Sequence, residues 1–166
     1  MLPAQHLRRT RFWLAIFIAG LLISGVTAFP LQMEVHWLSG HVRTVMAGVL
    51  GGSSPMLAWL RRVDEALTAT GAKYPFLAYG TDWLAFGHLA IAVAFLGPYV
   101  HPVRNKWVVT FGLIACAGVV PLAVIAGAVR GIPWWWRMID CSFGIFGAIP
   151  LLICRRSIMA LEKLPN

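Results

Sequence analysis

Charge is scarce in this sequence, and acidic charge is the scarcest. Only 12% of the 166 residues are charged, with 6 acidic residues against 14 basic ones. Soluble domains carry about 25% charged residues, so the composition excludes an ordinary soluble domain. The chain is instead rich in apolar residues, at 59%, and its mean hydropathy is +0.74. These values are typical of a membrane protein.

Sequence signatures of common chemistry are also missing. The three cysteines, Cys116, Cys141 and Cys154, lie in apolar segments and form no CxxC pair. This pattern gives no disulfide framework, no zinc site and no support for thiol–disulfide exchange. The sequence has no GxSxG, HExxH or phosphate-loop motif, so the familiar hydrolase and nucleotide-binding classes lack support.

Four long apolar segments are present, at about 12–31, 81–100, 107–129 and 133–154. Each has the roughly 20 residues that a helix needs to cross a hydrocarbon core about 30 Å thick. The sequence therefore predicts an all-α membrane protein, a single bundle of four transmembrane helices. The connections after the second and third segments are short, so the second, third and fourth spans should be antiparallel neighbours.

Basic residues cluster beside the apolar segments, which indicates the positive-inside rule rather than a nucleic-acid partner. With both termini cytoplasmic, the inside set is Arg8, Arg9, Arg11, Arg104, Lys106, Arg155, Arg156 and Lys163 against Glu162. The outside set is Arg43, Arg61, Arg62, Lys73, Arg130 and Arg137 against Glu34, Asp64, Glu65, Asp82 and Asp140. This imbalance predicts that both termini are cytoplasmic. An alternative for the first segment is a signal peptide cleaved near Val26-Thr27-Ala28.

The loop at about 32–80, predicted to lie outside, contains two helical patterns. Residues 55–69 predict an amphipathic helix capped by Ser53 or Ser54, and residues 34–50 predict another that ends at Gly51-Gly52. In the first helix the apolar face holds Leu57, Trp59, Leu60, Val63 and Leu67, and the other face holds Arg61, Arg62, Asp64 and Glu65. We expect both helices to lie at the membrane surface or over the bundle ends.

Small residues at spacings of three and four mark the expected packing faces of the spans. They are Gly20, Ser24 and Thr27; Ala85, His88 and Ala92; Gly112, Ala115 and Gly118; and Cys141, Gly144 and Ala148. Pro121, inside the third span, predicts a kink.

The most unusual stretch is RGIPWWWRMIDC at 130–141, at the outer mouth of the fourth span. Asp82 opens the second span on the same side, and His88 lies about 9 Å deeper at 1.5 Å per residue. Charged groups inside spans usually face the bundle interior and mark functional sites. We therefore predict one ligand-binding constellation in the outer leaflet, made of Asp82, His88, Arg130, Trp136, Arg137 and Asp140.

Other interpretations of these residues stay open. Arg137 and Asp140, three apart on one helix, can neutralise each other as a structural ion pair. Asp82 and Asp140, with His88, are candidate catalytic residues of an intramembrane hydrolase, because paired carboxylates can activate water. Lipoprotein signal peptidases are similar in architecture, but their sequence motifs are absent, so no catalytic role carries over.

Two further classes are less well supported. A proton-coupled transporter would need ionisable residues in the inner half of the bundle, which this sequence lacks. A haem would need a second axial ligand beside His88, so the cofactor stays unknown, with a haem shared with a partner chain as the alternative. His36 and His41 are five apart, about 140° apart on a helix, and cannot chelate one metal ion from it.

Three stretches carry a resemblance: YPFLAYGTDWLAFGH at 74–88, PVRN at 102–105 and RGIPWWWRMIDCSFG at 130–144. Together they resemble an uncharacterised group of small bacterial four-span inner-membrane proteins, which has no established activity. The resemblance covers roughly residue 74 to the end and implies a bacterial inner-membrane location.

The leading hypothesis is a non-enzymatic membrane protein, with an intramembrane hydrolase and a proton-coupled transporter as the alternatives. The sequence favours an accessory or assembly subunit, or a small-ligand binding protein for a lipid or quinone. The expected partners are membrane lipids and either a larger membrane complex or further copies of the chain.

Overall fold

The structure, a computed structural model, describes residues 3–50 and 54–163, and for residues 43–50 it describes the backbone alone. Within these ranges the secondary structure is helical and contains no β-strand. The elements are α1 (Pro3–Ala28), α2 (Leu31–Leu50), α3 (Pro55–Lys73), a 3₁₀ turn (Pro75–Ala78), α4 (Tyr79–Ala94), α5 (Leu96–Val100), α6 (Lys106–Val129) and α7 (Trp134–Glu162).

Four helical segments in the described part of the chain are long and apolar enough to cross a membrane. They are Pro3–Ala28, Pro75–Val100, Lys106–Val129 and Trp134–Glu162. The all-α membrane fold predicted from hydropathy is thus confirmed. The helix of the fourth span, α7, continues past the predicted end at Cys154 and through Arg155 and Arg156, because no helix-breaking residue follows until after Glu162.

The chain divides into two compact units. Unit 1 consists of Met1–Leu21 together with Ala90–Asn166, and unit 2 consists of Leu22–Leu89. The core of unit 1 is built from the first half of α1 and from the residues after Ala90. The hydrophobic cluster at its centre contains Leu14, Phe95, Val109, Leu151, Cys154 and Ile158, all fully buried.

Helices α6 and α7 form the closest packing in unit 1. Gly144 lies so close to the backbone of α6 that a β-carbon on it would be 2.5 Å from the carbonyl oxygen of Cys116. At one end of the pair a β-carbon on Gly112 would lie 2.7 Å from Leu151 Cδ1, and at the other end Gly127 touches Arg137. The residue numbers of these contacts increase along α6 while they decrease along α7. The predicted antiparallel arrangement of the third and fourth spans is therefore confirmed.

The end of the second span also packs on α6. The Phe95 ring lies 2.6 Å from the position of a β-carbon on Gly112. Asn105 closes the short connection, since its side-chain amide donates to the carbonyls of Gly97 and His101 at 3.0 and 3.1 Å. The second and third spans are therefore neighbours, as the short connection predicted.

In unit 2, α1 approaches α4 at Gly25. A β-carbon there would lie 2.9 Å from Leu89 Cδ2 and 3.1 Å from the Ala85 carbonyl oxygen. The sequence predicted a different face of α1 for this contact, the one that carries Gly20, Ser24 and Thr27. The prediction of that face was wrong, because a β-carbon on Gly20 would meet no atom within 4 Å, and Ser24 and Thr27 are exposed.

Helices α2 and α3 pair side by side in unit 2, and both were predicted. Ser54 lies at the N-cap of α3, but its side chain makes no capping hydrogen bond. The predicted ends Ser53, Gly51 and Gly52 lie outside the described residues.

One residue of α3 departs from the predicted amphipathic pattern. Asp64 was expected on the solvated face with Arg61, but its side chain is only 17% exposed. It is turned toward α2, where its carboxylate accepts from the Ser39 hydroxyl at 2.8 Å and lies 3.2 Å from His36 Nδ1. These contacts supply the hydrogen bonds that a sheltered carboxylate requires.

Candidate functional site

Two of the predicted site residues lie in unit 2, on α4. Asp82 is in the first turn of the helix and His88 lies six residues further, and both side chains are half-buried. The ring Nδ1 of His88 is 2.8 Å from the carbonyl oxygen of Leu84. Because a carbonyl only accepts, Nδ1 carries the proton and donates, which leaves Nε2 as the acceptor of a neutral ring.

The other predicted site residues lie in unit 1, around the turn between α6 and α7. Arg130 is the C-cap residue that follows α6, and Gly131 comes next with φ +70°. The amide of Ile132 donates to the Gly127 carbonyl at 2.9 Å and that of Gly131 to Ala128 at 3.1 Å. These two bonds make a Schellman motif, in which glycine is favoured because the position has a left-handed backbone.

Arg137, one turn into α7, is held by α6. Its aliphatic stem lies against Gly127, where a β-carbon would come within 2.5 Å of Arg137 Cδ. Its guanidinium donates from NH1 to the Val124 carbonyl oxygen at 3.1 Å, while Nε is buried with no hydrogen-bond partner. The side chain therefore ties the start of α7 to α6.

The ion pair between Arg137 and Asp140, which the sequence left open as an alternative, does not form. Among the described residues, the salt bridges are His36–Asp64, Arg61–Glu65 and Lys106–Glu162. Arg137 turns to α6 because the absence of a side chain on Gly127 leaves room for its stem beside a free carbonyl lone pair. Asp140 stays half-buried on α7, and Trp136 is half-buried while Arg130 is exposed.

The predicted constellation thus has one half on α4, in unit 2, and the other half on α6 and α7, in unit 1. The meeting of the two halves, and with it the pairing of Asp82 with Asp140 in catalysis, stays a prediction. In the described part of the chain no three His, Cys, Asp or Glu side chains gather as a metal site would require.

Unit 2 contains a groove that the sequence did not predict, which we call the Gln32 groove. It has a volume of about 660 Å³ and lies where α1 ends, where α2 and α3 pair, and where α4 begins. Its walls are formed by Phe29, Pro30, Leu31, Gln32, Met33, His36, Leu67, Thr68, Thr70, Gly71, Tyr74, Leu77, Ala78 and Thr81. Pockets that bind small molecules generally measure about 300–1,000 Å³ and are mostly apolar with a few polar groups, and this groove fits that description.

The polar groups of the Gln32 groove are neutral amides, hydroxyls and one imidazole, with no Lys, Arg, Asp or Glu among the lining residues. The Thr81 hydroxyl donates to the Ala78 carbonyl at 2.6 Å, so toward a ligand its oxygen can only accept. His36 lies 3.2 Å from Asp64 through Nδ1, which in the neutral ring leaves Nε2 as an acceptor.

The sequence predicted α2 and α3, the two paired helices of the Gln32 groove, but it did not predict the groove between them. Gln32 and His36 are four residues apart on α2, and Leu67 and Gly71 are four apart on α3, so each pair lies on one face of its helix. Those spacings were a usable signal. What the sequence could not provide was the pairing of the two faces across α2 and α3.

Taken together, the long apolar helices and the half-buried polar groups at their ends define a small multi-pass α-helical membrane protein. No protein-family model, no curated protein and no solved structure matches the chain.

Proposed function

We propose that this protein is a non-enzymatic membrane protein that binds an amphiphile, a lipid or a quinone, by its polar head in the Gln32 groove. The observation that carries the proposal is a mostly apolar groove of about 660 Å³ beside the ends of two candidate spans, α1 and α4. Such a position suits a molecule that has one end in the bilayer and a polar end at its edge.

The lining of the groove favours a neutral head over a phosphate. Phosphate recognition relies on Arg, Lys or clustered backbone amides, and no basic side chain lines this groove. The acceptors at Thr81 and His36 favour a head that carries hydroxyl donors, and the Gln32 amide can pair with a donor or an acceptor. A quinol or a lipid with a free glycerol hydroxyl has this chemistry.

Purification from native membranes with a mild detergent, followed by organic extraction and mass spectrometry, tests the proposal. We expect one neutral quinone or lipid species to co-purify with the wild-type chain. Ala78→Trp should place an indole in the groove and reduce the bound species by more than about tenfold, a change that 1.4 kcal/mol of lost affinity produces.

Ala69→Trp is the matched control, because Ala69 is exposed on α3 and does not line the groove. It should retain the ligand, and both variants should keep the helical content of the wild type. Equal retention by the two variants, or no neutral amphiphile on the wild-type chain, would contradict the proposal.

A second candidate function is that of an accessory subunit, and an exposed aromatic row on α4 favours it. Tyr79, Trp83 and Phe86 pack edge to face with ring centroids 6.0 Å apart, and all three side chains are more than half exposed. Aromatic residues of this kind anchor spans at the bilayer edge and are enriched at interfaces between chains. A photoreactive residue in place of Phe86 should cross-link to one protein in native membranes if α4 docks a partner, and to lipid alone otherwise.

We infer further that the membrane is the bacterial inner membrane and that both termini are cytoplasmic. The resemblance of the chain, from roughly residue 74 to the end, to bacterial four-span proteins supports the first part. The basic residues next to the span ends, among them Arg8, Arg155 and Arg156, support the second.

A further inference from the structure

A second, smaller cavity lies in unit 1, between the start of α6 and the end of α7. Its volume is about 270 Å³. The lining residues are Lys106, Trp107, Val109, Thr110, Arg155, Ile158, Met159 and Glu162. We call it the Arg155 pocket. It shares no residue with the Gln32 groove.

Charge is distributed unevenly in the Arg155 pocket. Lys106 Nζ lies 2.5 Å from Glu162 Oε1, so these two charges neutralise each other across the ends of α6 and α7. Arg155 lines the same pocket and has no ion pair within the described ranges of the chain. The pocket therefore carries one uncompensated guanidinium next to a lysine whose partner is an exposed surface carboxylate.

The rest of the wall is apolar or aromatic. Val109 and Ile158 belong to the buried core of unit 1 and form the base of the pocket. Trp107 and Met159 are exposed, at 68% and 45%, and line its open side. Tryptophan at the end of a span is typical of the headgroup level of a bilayer.

We propose that the Arg155 pocket binds the phosphate of an anionic phospholipid. Arg155 and Lys106 supply the positive charge, and the acyl chains leave the pocket along Trp107 and Met159. Basic pockets between transmembrane helices are suited to such headgroups. Glu162 competes with the phosphate for Lys106, so the Lys106–Glu162 pair opens when the lipid binds.

The test uses the full chain in a neutral detergent, titrated with phosphatidylglycerol and followed by native mass spectrometry. Wild-type protein should bind phosphatidylglycerol in preference to phosphatidylcholine. Arg155→Gln should weaken phosphatidylglycerol binding about fivefold, because it removes the guanidinium that contacts the phosphate and so about 1 kcal/mol of affinity. Glu162→Gln should strengthen it by a similar factor, because it releases Lys106 from its competitor.

Arg156→Gln is the matched control, since it removes the same charge from the adjacent residue, which does not line the pocket. It should leave the affinity within about twofold of the wild type, because a surface charge that touches no lipid contributes little. All variants should keep the wild-type helical content and melting temperature within about 2 °C, as exposed substitutions usually do.

Three results would overturn the proposal. One is equal weakening by Arg155→Gln and Arg156→Gln, which would show a general charge effect. Another is unchanged or weaker binding in Glu162→Gln. The third is full displacement of the lipid by inorganic phosphate at equal concentration, which would mean that the site takes a free anion without its acyl chains.

Discussion

Arg137 shows how a single cation is accommodated inside a candidate span. Its stem occupies the space left by Gly127, and its guanidinium finds a backbone carbonyl at Val124 rather than a carboxylate. A helix carbonyl has a second lone pair, so it can accept this bond without giving up its helical one. The charge therefore stabilises the contact between α6 and α7 through a backbone carbonyl, and not through the ion pair with Asp140 that the sequence left open.

This arrangement predicts that Arg137 and Asp140 are energetically independent. Arg137→Gln should lower the stability toward denaturing detergent, and Asp140→Asn should change it little. The double variant should equal the sum of the single ones within about 0.5 kcal/mol, as for residues without a shared contact.

Circular dichroism during a titration with denaturing detergent measures the change in unfolding free energy for the two single variants and for the double variant. A second double-mutant cycle, which combines Arg137→Gln with Ser142→Ala, is the control. The Ser142 hydroxyl donates to the Ile139 carbonyl on its own helix, so no coupling to Arg137 is expected. A coupling above about 1 kcal/mol between Arg137 and Asp140 would restore the ion-pair interpretation.

Among the helices, α6 and α7 depend on the closest backbone approach. The lipid tails around a span are as apolar as its side chains, so helix association there relies on close packing rather than on the hydrophobic effect. Gly144 against the Cys116 carbonyl provides such a contact at the middle of the pair.

Gly144→Ala should therefore weaken the α6–α7 pair. The added methyl group would meet the Cys116 carbonyl oxygen at 2.5 Å and Val119 Cβ at 3.2 Å, and the first of these is backbone that cannot rotate away. Overpacking of this kind costs about 1–3 kcal/mol, so the melting temperature in detergent should fall.

Gly118→Ala on α6 is the control for that experiment. A β-carbon on Gly118 would meet no atom within 4 Å, so the variant should melt at or above the wild-type temperature. If Gly144→Ala melted like Gly118→Ala, the close approach of the two helices would be disproved.

The same helices show what the sequence could and could not predict. Hydropathy located all four spans, because a span needs a long apolar segment whatever its neighbours are. Small-residue spacing correctly placed Gly112 and Gly144 at contacts, but it chose Gly118 where the structure uses Gly127. Several small residues occur on each apolar helix, and only the partner helix decides which of them is covered.

Sites formed by two elements were harder to predict than the elements. Asp64 looked solvated because its neighbours on α3 are charged, and only its pairing with Ser39 on α2 shelters it. The Gln32 groove depends on the same pairing. The residues that the sequence did single out, such as Asp82 and Arg137, are conspicuous as isolated polar groups in apolar segments, which can be recognised without a partner.

At the scale of the whole molecule, the distribution of charge is the feature with the widest consequence. If all four candidate spans cross the membrane, both termini lie on one side of it and the loop with α2 and α3 on the other. Eight of the basic residues are predicted to lie on the side of the termini against one acidic residue, while α3 carries both signs, with Arg61 paired to Glu65 at 3.5 Å. Basic residues near span ends are retained in the cytoplasm, so this distribution predicts the orientation in which both termini are cytoplasmic.

Single-cysteine labelling tests that orientation. The background variant replaces Cys116, Cys141 and Cys154 with alanine, and one cysteine is then introduced at Ala4 before the first span or at Ala69 on α3, both of which are exposed. A membrane-impermeant maleimide should label Ala69→Cys in intact spheroplasts, and should label Ala4→Cys only after the membrane is permeabilised. The opposite pattern would reverse the topology and place the Arg155 pocket at the outer face. Labelling of both cysteines in intact spheroplasts would mean that the first helix does not cross the membrane, since Ala4 and Ala69 would then lie on the same side.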